Sequence, residues 1–265
     1  MAATPRSIDP PSKKLLVSEA GRVFSSISSL MLGFPLLNYA PHGDGHPVLV
    51  LPGFLSGDTS TLPLRLFLKS RGYDAHGWEL GINYGRGIDP ESMIPADSKT
   101  LAKVRQLHET TGRKVSIIGW SLGGIYAREI ARITPASVRT VITLASPFRG
   151  ERKASNVWRT FERVSGHKLD ELPDELYERA RTSPPVPTTA IYTKTDGITA
   201  WETCVEDLPN CGDCENIELE TSHLGIGFSP IALWAIADRL AQPEGQWKPF
   251  EKTGIKRHLY RNWWA

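Results

Sequence analysis

Short apolar runs alternate with segments of helical periodicity between residues 46 and 240. The run His46–Leu51 (HPVLVL) is apolar at nearly every position, which is typical of a strand buried on both faces of a parallel sheet. Strands are predicted at His46–Leu51, Tyr73–Trp78, Lys114–Gly119, Arg139–Leu144, Thr188–Thr193 and Asn216–Glu220. This alternation predicts an α/β fold, with a mostly parallel central sheet of about six strands flanked by helices.

The segments around these strands carry apolar residues at helical spacing. Helices are predicted at Lys13–Leu32, Thr61–Ser70, Ala96–Thr111, Ser121–Ile133 and Pro230–Leu240. We expect the first of them to end near Gly33 and Pro35, because these residues commonly mark a helix terminus.

Residues 149–187 interrupt the alternation with a charged, weakly apolar stretch that ends in several prolines. We expect two short helices there. Loops of this length are usually functional or disordered, so the segment is predicted to form a short helical cap over the site. The alternative is a solvated surface excursion. The resulting division is an N-terminal extension and helix (1–40), a core (41–148 and 188–250), the cap (149–187) and a C-terminal tail (251–265).

Composition limits the classes of function. The chain of 265 residues is 40% hydrophobic and 23% charged, with a net charge of +2, as expected of a soluble globular domain. No concentrated basic face is evident, so a nucleic-acid partner is not expected. Composition leaves the oligomeric state open.

The N-terminal segment places Lys13 and Lys14 before the apolar, serine-containing run Val23–Leu37. We expect this run to be too short and too polar to span a membrane. The segment is predicted to be an amphipathic helix that packs on the domain or lies on a membrane surface as a peripheral contact. A cytoplasmic location is favoured over secretion, because the pattern fits a signal peptide poorly.

The three cysteines, Cys204, Cys211 and Cys214, lie close together in the sequence. One disulfide plus a free thiol and a fully reduced set both remain open. A bridge from Cys204 to either partner would staple the loop. The C-x-x-C pair Cys211 and Cys214 also allows zinc or redox chemistry, but no second pair completes a zinc site.

The strongest chemical signal is Gly119-Trp120-Ser121-Leu122-Gly123-Gly124, which follows a predicted strand and opens a predicted helix. This is the G-x-S-x-G nucleophile elbow in its expected context. The turn is so sharp that a side chain at Gly119 or Gly123 would collide with the neighbouring backbone. The elbow predicts that Ser121 is a nucleophile at the carboxyl edge of the sheet.

A serine nucleophile needs a general base. Of the histidines that follow Ser121, His167 lies in the predicted cap and His258 in the tail. His223 follows the last predicted strand, at the edge where open α/β sheets bind ligands. We therefore predict His223 as the base.

The base in turn needs an orienting acid. Asp196 ends the fifth predicted strand and is preferred for that position, although an aspartate before a glycine also suits a plain turn. The other aspartates between nucleophile and base lie in the cap or in a polar loop: Asp170, Asp174, Asp207 and Asp213.

An oxyanion hole requires two backbone N–H groups directed at one point. Leu122, the residue after the nucleophile, is predicted to supply one. The loop after the first strand reads Leu51-Pro52-Gly53-Phe54, and Pro52 has no N–H. Phe54 is therefore the predicted second donor.

Taken together, these motifs resemble the α/β-hydrolase superfamily over residues 46–240. The Pro52-Gly53-Phe54 loop, the elbow, and Leu144-Ala145-Ser146-Pro147-Phe148 look like bacterial triacylglycerol lipases and the deacylases of inositol lipids. The resemblance implies a Ser–Asp–His triad, an acyl-enzyme, small-molecule or lipid ester substrates and no cofactor. An acyltransferase with the same acyl-enzyme and a non-catalytic binding module are the alternatives. The Pro-Gly start of the oxyanion loop departs from the His-Gly of many lipases.

Overall fold

The computed structural model describes residues 8–89, 94, 99–149, 152–254 and 256–260. Within them, one sheet of six parallel strands has the order β2-β1-β3-β4-β5-β6. The strands are β1 (Pro47–Leu51), β2 (Asp74–Gly77), β3 (Val115–Trp120), β4 (Val138–Leu144), β5 (Thr188–Tyr192) and β6 (Cys214–Glu218). The predicted parallel sheet is thereby confirmed.

Helices connect and flank these strands. The α-helices are α1 (Lys13–Leu37), α2 (Asp58–Ser70), α3 (Lys99–Thr111), α4 (Leu122–Ile133), α5 (Trp158–Ser165), α6 (Asp174–Arg181), α7 (Pro230–Leu240) and α8 (Lys256–Leu259). The predicted start of α3, at residues 96–98, lies outside the described residues. The cap segment contains α5 and α6.

The first helix continues past its predicted end. It runs through Gly33 and Pro35 to Leu37. A Cβ at Gly33 would lie 3.0 Å from Cγ of Pro230, at the start of α7. This glycine therefore permits close packing of two helices, and does not terminate α1.

Two apolar clusters lie on the two faces of the sheet. Side chains of α2 and α7, such as Leu68 and Ile236, fill one cluster. Side chains of α3 and α4, such as Val104 and Ile130, fill the other. The resulting three layers fix the carboxyl ends of the strands, from which the loops of the candidate site emerge.

Helix α1 differs from expectation in one further respect. Among the helices that the structure describes, it alone contains a stretch, Lys13–Gly33, long and apolar enough to cross a membrane, with a mean hydropathy of 1.2. The expectation that no membrane span is present rested on the run Val23–Leu37 alone, whereas the apolar stretch begins at Lys13, the predicted start of the helix. The helix nevertheless lies on the domain, where Arg22 donates a hydrogen bond to the backbone carbonyl of Thr195.

Candidate active site

Ser121 occupies a strained turn between β3 and α4. Its φ of 50° and ψ of −120° fall in a region that residues with a side chain rarely adopt. Two glycines permit the turn: a Cβ at Gly119 would lie 2.3 Å from the Gly123 carbonyl oxygen, and a Cβ at Gly123 would lie 2.5 Å from that of Leu51. The structure thus places Ser121 in nucleophile-elbow geometry, with the N-terminus of α4 beside it.

Asp196 and His223 form a buried hydrogen-bonded pair. His223 Nδ1 lies 2.7 Å from Asp196 Oδ2. The same carboxylate accepts hydrogen bonds from the backbone N–H groups of Ile198 and Thr199, at 2.7 and 2.8 Å, and from the Thr199 hydroxyl at 3.1 Å. These contacts fix the carboxylate and present it to one face of the imidazole. The structure therefore brings together the acid and the base that the sequence analysis selected.

The environment of His223 favours its protonated form. Burial opposes charging of the imidazole, but the Asp196 carboxylate, its hydrogen bond and the Glu19 carboxylate act in the other direction. The balance raises the pKa of His223 above its ordinary value. A histidine in this setting is suited to take a proton and hold it during a reaction.

The loop that follows β6 and carries His223, here called the base loop, is joined to the elbow through Trp120, the residue before the nucleophile. The indole N–H of Trp120 donates a hydrogen bond to the His223 carbonyl at 3.0 Å. Within the described residues, the Ser121 hydroxyl makes no hydrogen bond with His223. Catalytic hydrogen bonds of this kind often tighten only when substrate binds.

The two predicted oxyanion donors lie beside the nucleophile. A Cβ at Gly53 would be 3.2 Å from Ser121 Cβ, so the loop after β1 passes directly against the serine. Leu122 is the first residue of α4, where a backbone N–H has no acceptor inside the helix. In the described structure, the Phe54 N–H also lacks a hydrogen-bond acceptor. Both groups are available to a ligand oxygen.

A largely apolar cavity of about 150 Å³ opens at Ser121. Phe54, Leu122 and Phe148 line it from the core. The residues between β4 and β5 supply the other wall through Trp158, Phe161, Leu169, Leu172, Tyr177 and Ala180. Phe161 packs edge-on against Phe54 with ring centroids 5.3 Å apart. The charged cap segment thus turns its few apolar side chains toward the nucleophile.

The remaining polar side chains of this cavity include His167, which the sequence analysis set aside. Arg152, also at the cavity, donates to the backbone carbonyls of Leu169 and Leu172 at 2.7 and 2.8 Å. These bonds hold the chain between α5 and α6 in place. Asp170 and Asp174 pair with cap cations, Lys153 and Arg152 respectively.

The cysteines depart from one expectation. Cys211 is bridged to Cys214 across the turn that leads into β6, with Cα atoms 6.0 Å apart. Cys204 is a free, buried thiol that contacts Thr199 on the loop that follows β5 and carries Asp196, here called the acid loop. It therefore forms no disulfide that would tie this loop down. Burial raises the pKa of the Cys204 thiol. Among the described residues, no cluster of three or more histidine, cysteine or acidic side chains is arranged to hold a metal.

A second group of serine, histidine and aspartate side chains, linked by hydrogen bonds, shows that these residue types in contact do not by themselves define a catalytic site. His46 lies 2.5 Å from Asp44 Oδ1 through Nδ1 and 2.7 Å from Ser116 Oγ through Nε2. Ser116 lies near the amino end of β3, opposite Ser121, and both Ser116 and His46 are 0% exposed. Burial is the main reason that the pKa of His46 is lowered to about 4, and the neighbouring Arg139 cation acts in the same direction. No substrate can reach this hydroxyl, so we interpret the network as structural.

Sequence reasoning missed two residues that support the acid and the base. Thr199 contacts both Asp196 and His223. Glu19, on α1, accepts hydrogen bonds from the base loop. One sequence signal for Glu19 existed, since it is the only acidic residue between Asp9 and Asp44.

Comparisons with known proteins agree with this fold. No protein-family model matches the chain. It is 32% identical over 111 residues to the serine hydrolase BPHL of Homo sapiens, an overlap of 40% of this chain and 38% of that protein. The chain therefore spans less than half the length of this curated relative.

Two solved structures extend the likeness. Aspergillus fumigatus lipase B superposes with a TM-score of 0.55 and 17% identity, over 78% of this chain and 56% of that one. Mature Bacillus licheniformis lipase BlEst2 gives a TM-score of 0.53 and 16% identity, over 77% and 95%. At these identities the matches establish the fold alone. The chain has the α/β-hydrolase fold, which confirms the fold that the motif resemblance implies.

Proposed function

We propose that this protein is a serine hydrolase that cleaves carboxylic esters through an acyl-enzyme. The observation that supports this most strongly is the combination of Ser121 in elbow geometry with the buried Asp196–His223 pair at the same edge of the sheet. The serine hydrolase relative and the lipase and esterase neighbours support the same class of reaction.

The reaction would begin with attack of Ser121 Oγ on the acyl carbonyl carbon, while His223 Nε2 takes the serine proton. Asp196 holds Nδ1 protonated and stabilises the imidazolium that forms. The Phe54 and Leu122 N–H groups would donate to the tetrahedral oxyanion, and the loss of one such donor typically costs about 3–4 kcal/mol of transition-state stabilisation. The imidazolium then protonates the leaving alcohol.

Water completes the cycle by the same route in reverse. His223 removes a proton from water as the hydroxide attacks the acyl carbon, and Ser121 leaves with that proton. Each step uses only the substrate, water and groups of this chain, so the chemistry requires no cofactor. The apolar cavity beside Ser121 favours esters of longer acyl chains over acetyl esters.

Labelling with a fluorophosphonate probe tests this proposal. We expect the wild-type protein to form one phosphonyl adduct, located on Ser121 by peptide mass spectrometry. Ser121→Ala and heat-denatured wild type serve as controls and should remain unlabelled. A folded wild type that resists the probe would contradict the proposal and favour a binding module.

An acyltransferase would label equally, so product analysis separates the two enzymes. We expect free acid as the main product of an ester substrate even when an alcohol acceptor is present. Predominant transfer of the acyl group to the alcohol would instead identify an acyltransferase.

We further propose peripheral membrane contact through the outward side of α1. The helix exposes apolar side chains along its length, at Val17, Phe24, Met31 and Leu32, and two exposed lysines precede them. Co-sedimentation with anionic liposomes should weaken in Phe24→Ser/Met31→Ser. Leu66→Ser, at an exposed leucine of α2, is the control. Equal sedimentation of all three proteins would contradict the contact.

A further inference from the structure

The inner side of α1 has an unusual composition. Between Lys13 and Gly33, Glu19 is the one buried residue, whereas the apolar side chains of this stretch are partly or fully exposed. Packing of a helix on a domain usually buries apolar residues and leaves charges in water. A buried carboxylate must be hydrogen-bonded to avoid a large desolvation cost. The contacts of Glu19 therefore show what this helix does on the domain.

Glu19 bridges the two loops that carry the acid and the base. Its Oε1 accepts hydrogen bonds from the N–H of Gly197 at 2.8 Å and from the N–H of His223 at 3.2 Å. Its Oε2 accepts from the N–H of Leu224 at 3.1 Å. Gly197 directly follows Asp196, so one carboxylate ties the backbone of both members of the pair to α1.

Arg22 completes this attachment from the next turn of the helix. It lies 3.1 Å from Glu19 Oε1 through Nη2. Its Nη1 donates to the carbonyl of Thr195, the residue before Asp196. The acid loop is thus held from both sides of Asp196, by a cation before it and a carboxylate after it.

Two glycines allow the helix to come this close. A Cβ at Gly197 would lie 2.5 Å from the Leu15 carbonyl oxygen, and a Cβ at Gly225 would lie 2.5 Å from Ser26 Oγ. Either side chain would push α1 away and lengthen the hydrogen bonds of Glu19. The acid loop and the base loop are therefore shaped to receive this helix.

We propose that Glu19 is a positioning residue for the Asp196–His223 pair, so that α1 is an integral part of the active site. This inference rests on the proposed serine hydrolase function. By fixing the His223 and Leu224 backbone, the carboxylate sets the place from which the imidazole reaches Ser121. Its negative charge also adds to that of Asp196 in stabilising the imidazolium that forms during the reaction.

The charged and titratable groups around His223 determine in which direction its pKa moves when Glu19 is changed. Asp196 and Glu19 face it as carboxylates, Cys204 approaches through Thr199 as a neutral thiol, and Arg22 lies beyond Glu19. Burial lowers the pKa of His223, and the Asp196 and Glu19 carboxylates raise it. When the Glu19 charge is removed, only Asp196 opposes burial, so the pKa of His223 falls. Because the base must be neutral, the acid limb of the rate profile then moves to lower pH.

The test compares Glu19→Gln with wild type on one p-nitrophenyl ester across pH. Glutamine keeps the size of the side chain but loses the charge and one acceptor. We expect kcat to fall between about tenfold and a hundredfold, since small displacements of catalytic groups cost this much. KM should change little, and the acid limb should shift downward. Glu109→Gln, an exposed acid near the carboxyl end of α3 at the opposite edge of the sheet, should match wild type.

Glu19→Asp provides a second variant should Glu19→Gln not fold. It keeps the charge and shortens the side chain, so we expect a lower kcat with the acid limb unmoved. If the Glu19 variants have the same kcat and the same pH profile as the wild type, the inference is overturned. A fall in thermal stability with unchanged kcat and an unmoved limb would also overturn it, because it assigns Glu19 a purely structural role. An inactive wild type that resists the fluorophosphonate would instead overturn the proposed function itself.

Discussion

Removal of the Glu206 carboxylate should destabilise the protein strongly, because its partner is a buried cation on the helix that begins after Ser121. Both oxygens of Glu206 face the Arg128 guanidinium, and both side chains are almost fully buried. Arg128 also donates to the Thr182 carbonyl at 2.9 Å and lies 3.7 Å above the centre of the Phe148 ring. Phe148 lines the cavity at Ser121, so this ion pair supports the cavity wall.

The expected size follows from what Glu206→Ala leaves behind. The guanidinium stays in its buried place with carbonyl acceptors but no counter-charge facing its two terminal nitrogens. Breaking a buried pair in this way typically costs about 3–5 kcal/mol of unfolding free energy. For a chain of this length each kcal/mol lowers Tm by about 2–4 °C, so we expect a fall of roughly 6–20 °C.

Urea unfolding followed by tryptophan fluorescence measures this change. Glu171→Ala is the matched control, because Glu171 pairs with Lys168 on the exposed surface of the cap. We expect no measurable loss there. The double variant Arg128→Leu/Glu206→Leu should recover much of the stability, since apolar side chains can replace a buried ion pair. Equal stability of Glu206→Ala and the control would refute the reasoning.

Three further predictions concern the site itself. Asp196→Asn should lower kcat roughly 10⁴-fold at an unchanged fold, because the amide favours the wrong His223 tautomer, as measured by ester hydrolysis and circular dichroism. The rate should rise with pH as His223 loses its proton, with a midpoint above the ordinary 6.5 in a kcat/KM profile. Ser121→Gly should be more stable than Ser121→Ala by about 1 kcal/mol in thermal unfolding, because glycine relieves the positive φ; equal stability would argue against backbone strain.

The parts of the site that could be predicted from sequence are those fixed by local chain geometry. The elbow is readable because its two glycines, its serine and the adjoining strand and helix lie within a few residues of one another. Asp196 and His223 could be selected because parallel strands end at one edge of the sheet. The structure places these two side chains in contact, as that rule leads one to expect.

The parts that could not be predicted depend on contacts between distant segments. Glu19 lies 204 positions before His223, and its local pattern shows only an acid in an apolar helix. The bounds of β6 differ from prediction because pairing fixes them, with Cys214 opposite Thr188 on β5. The apolar lining of the cap escaped notice because its few large side chains are scattered among charged residues, and only folding gathers them at the cavity.

The most direct measurement of the central claim is hydrolysis of p-nitrophenyl esters, from acetate to palmitate, by wild type and Ser121→Ala side by side. We predict that wild type turns over esters of longer acyl chains faster than acetate. This turnover should vanish in Ser121→Ala at an unchanged fold. Turnover that survives in Ser121→Ala would contradict the assignment of the nucleophile. A folded wild type that cleaves no ester would contradict the hydrolase account as a whole.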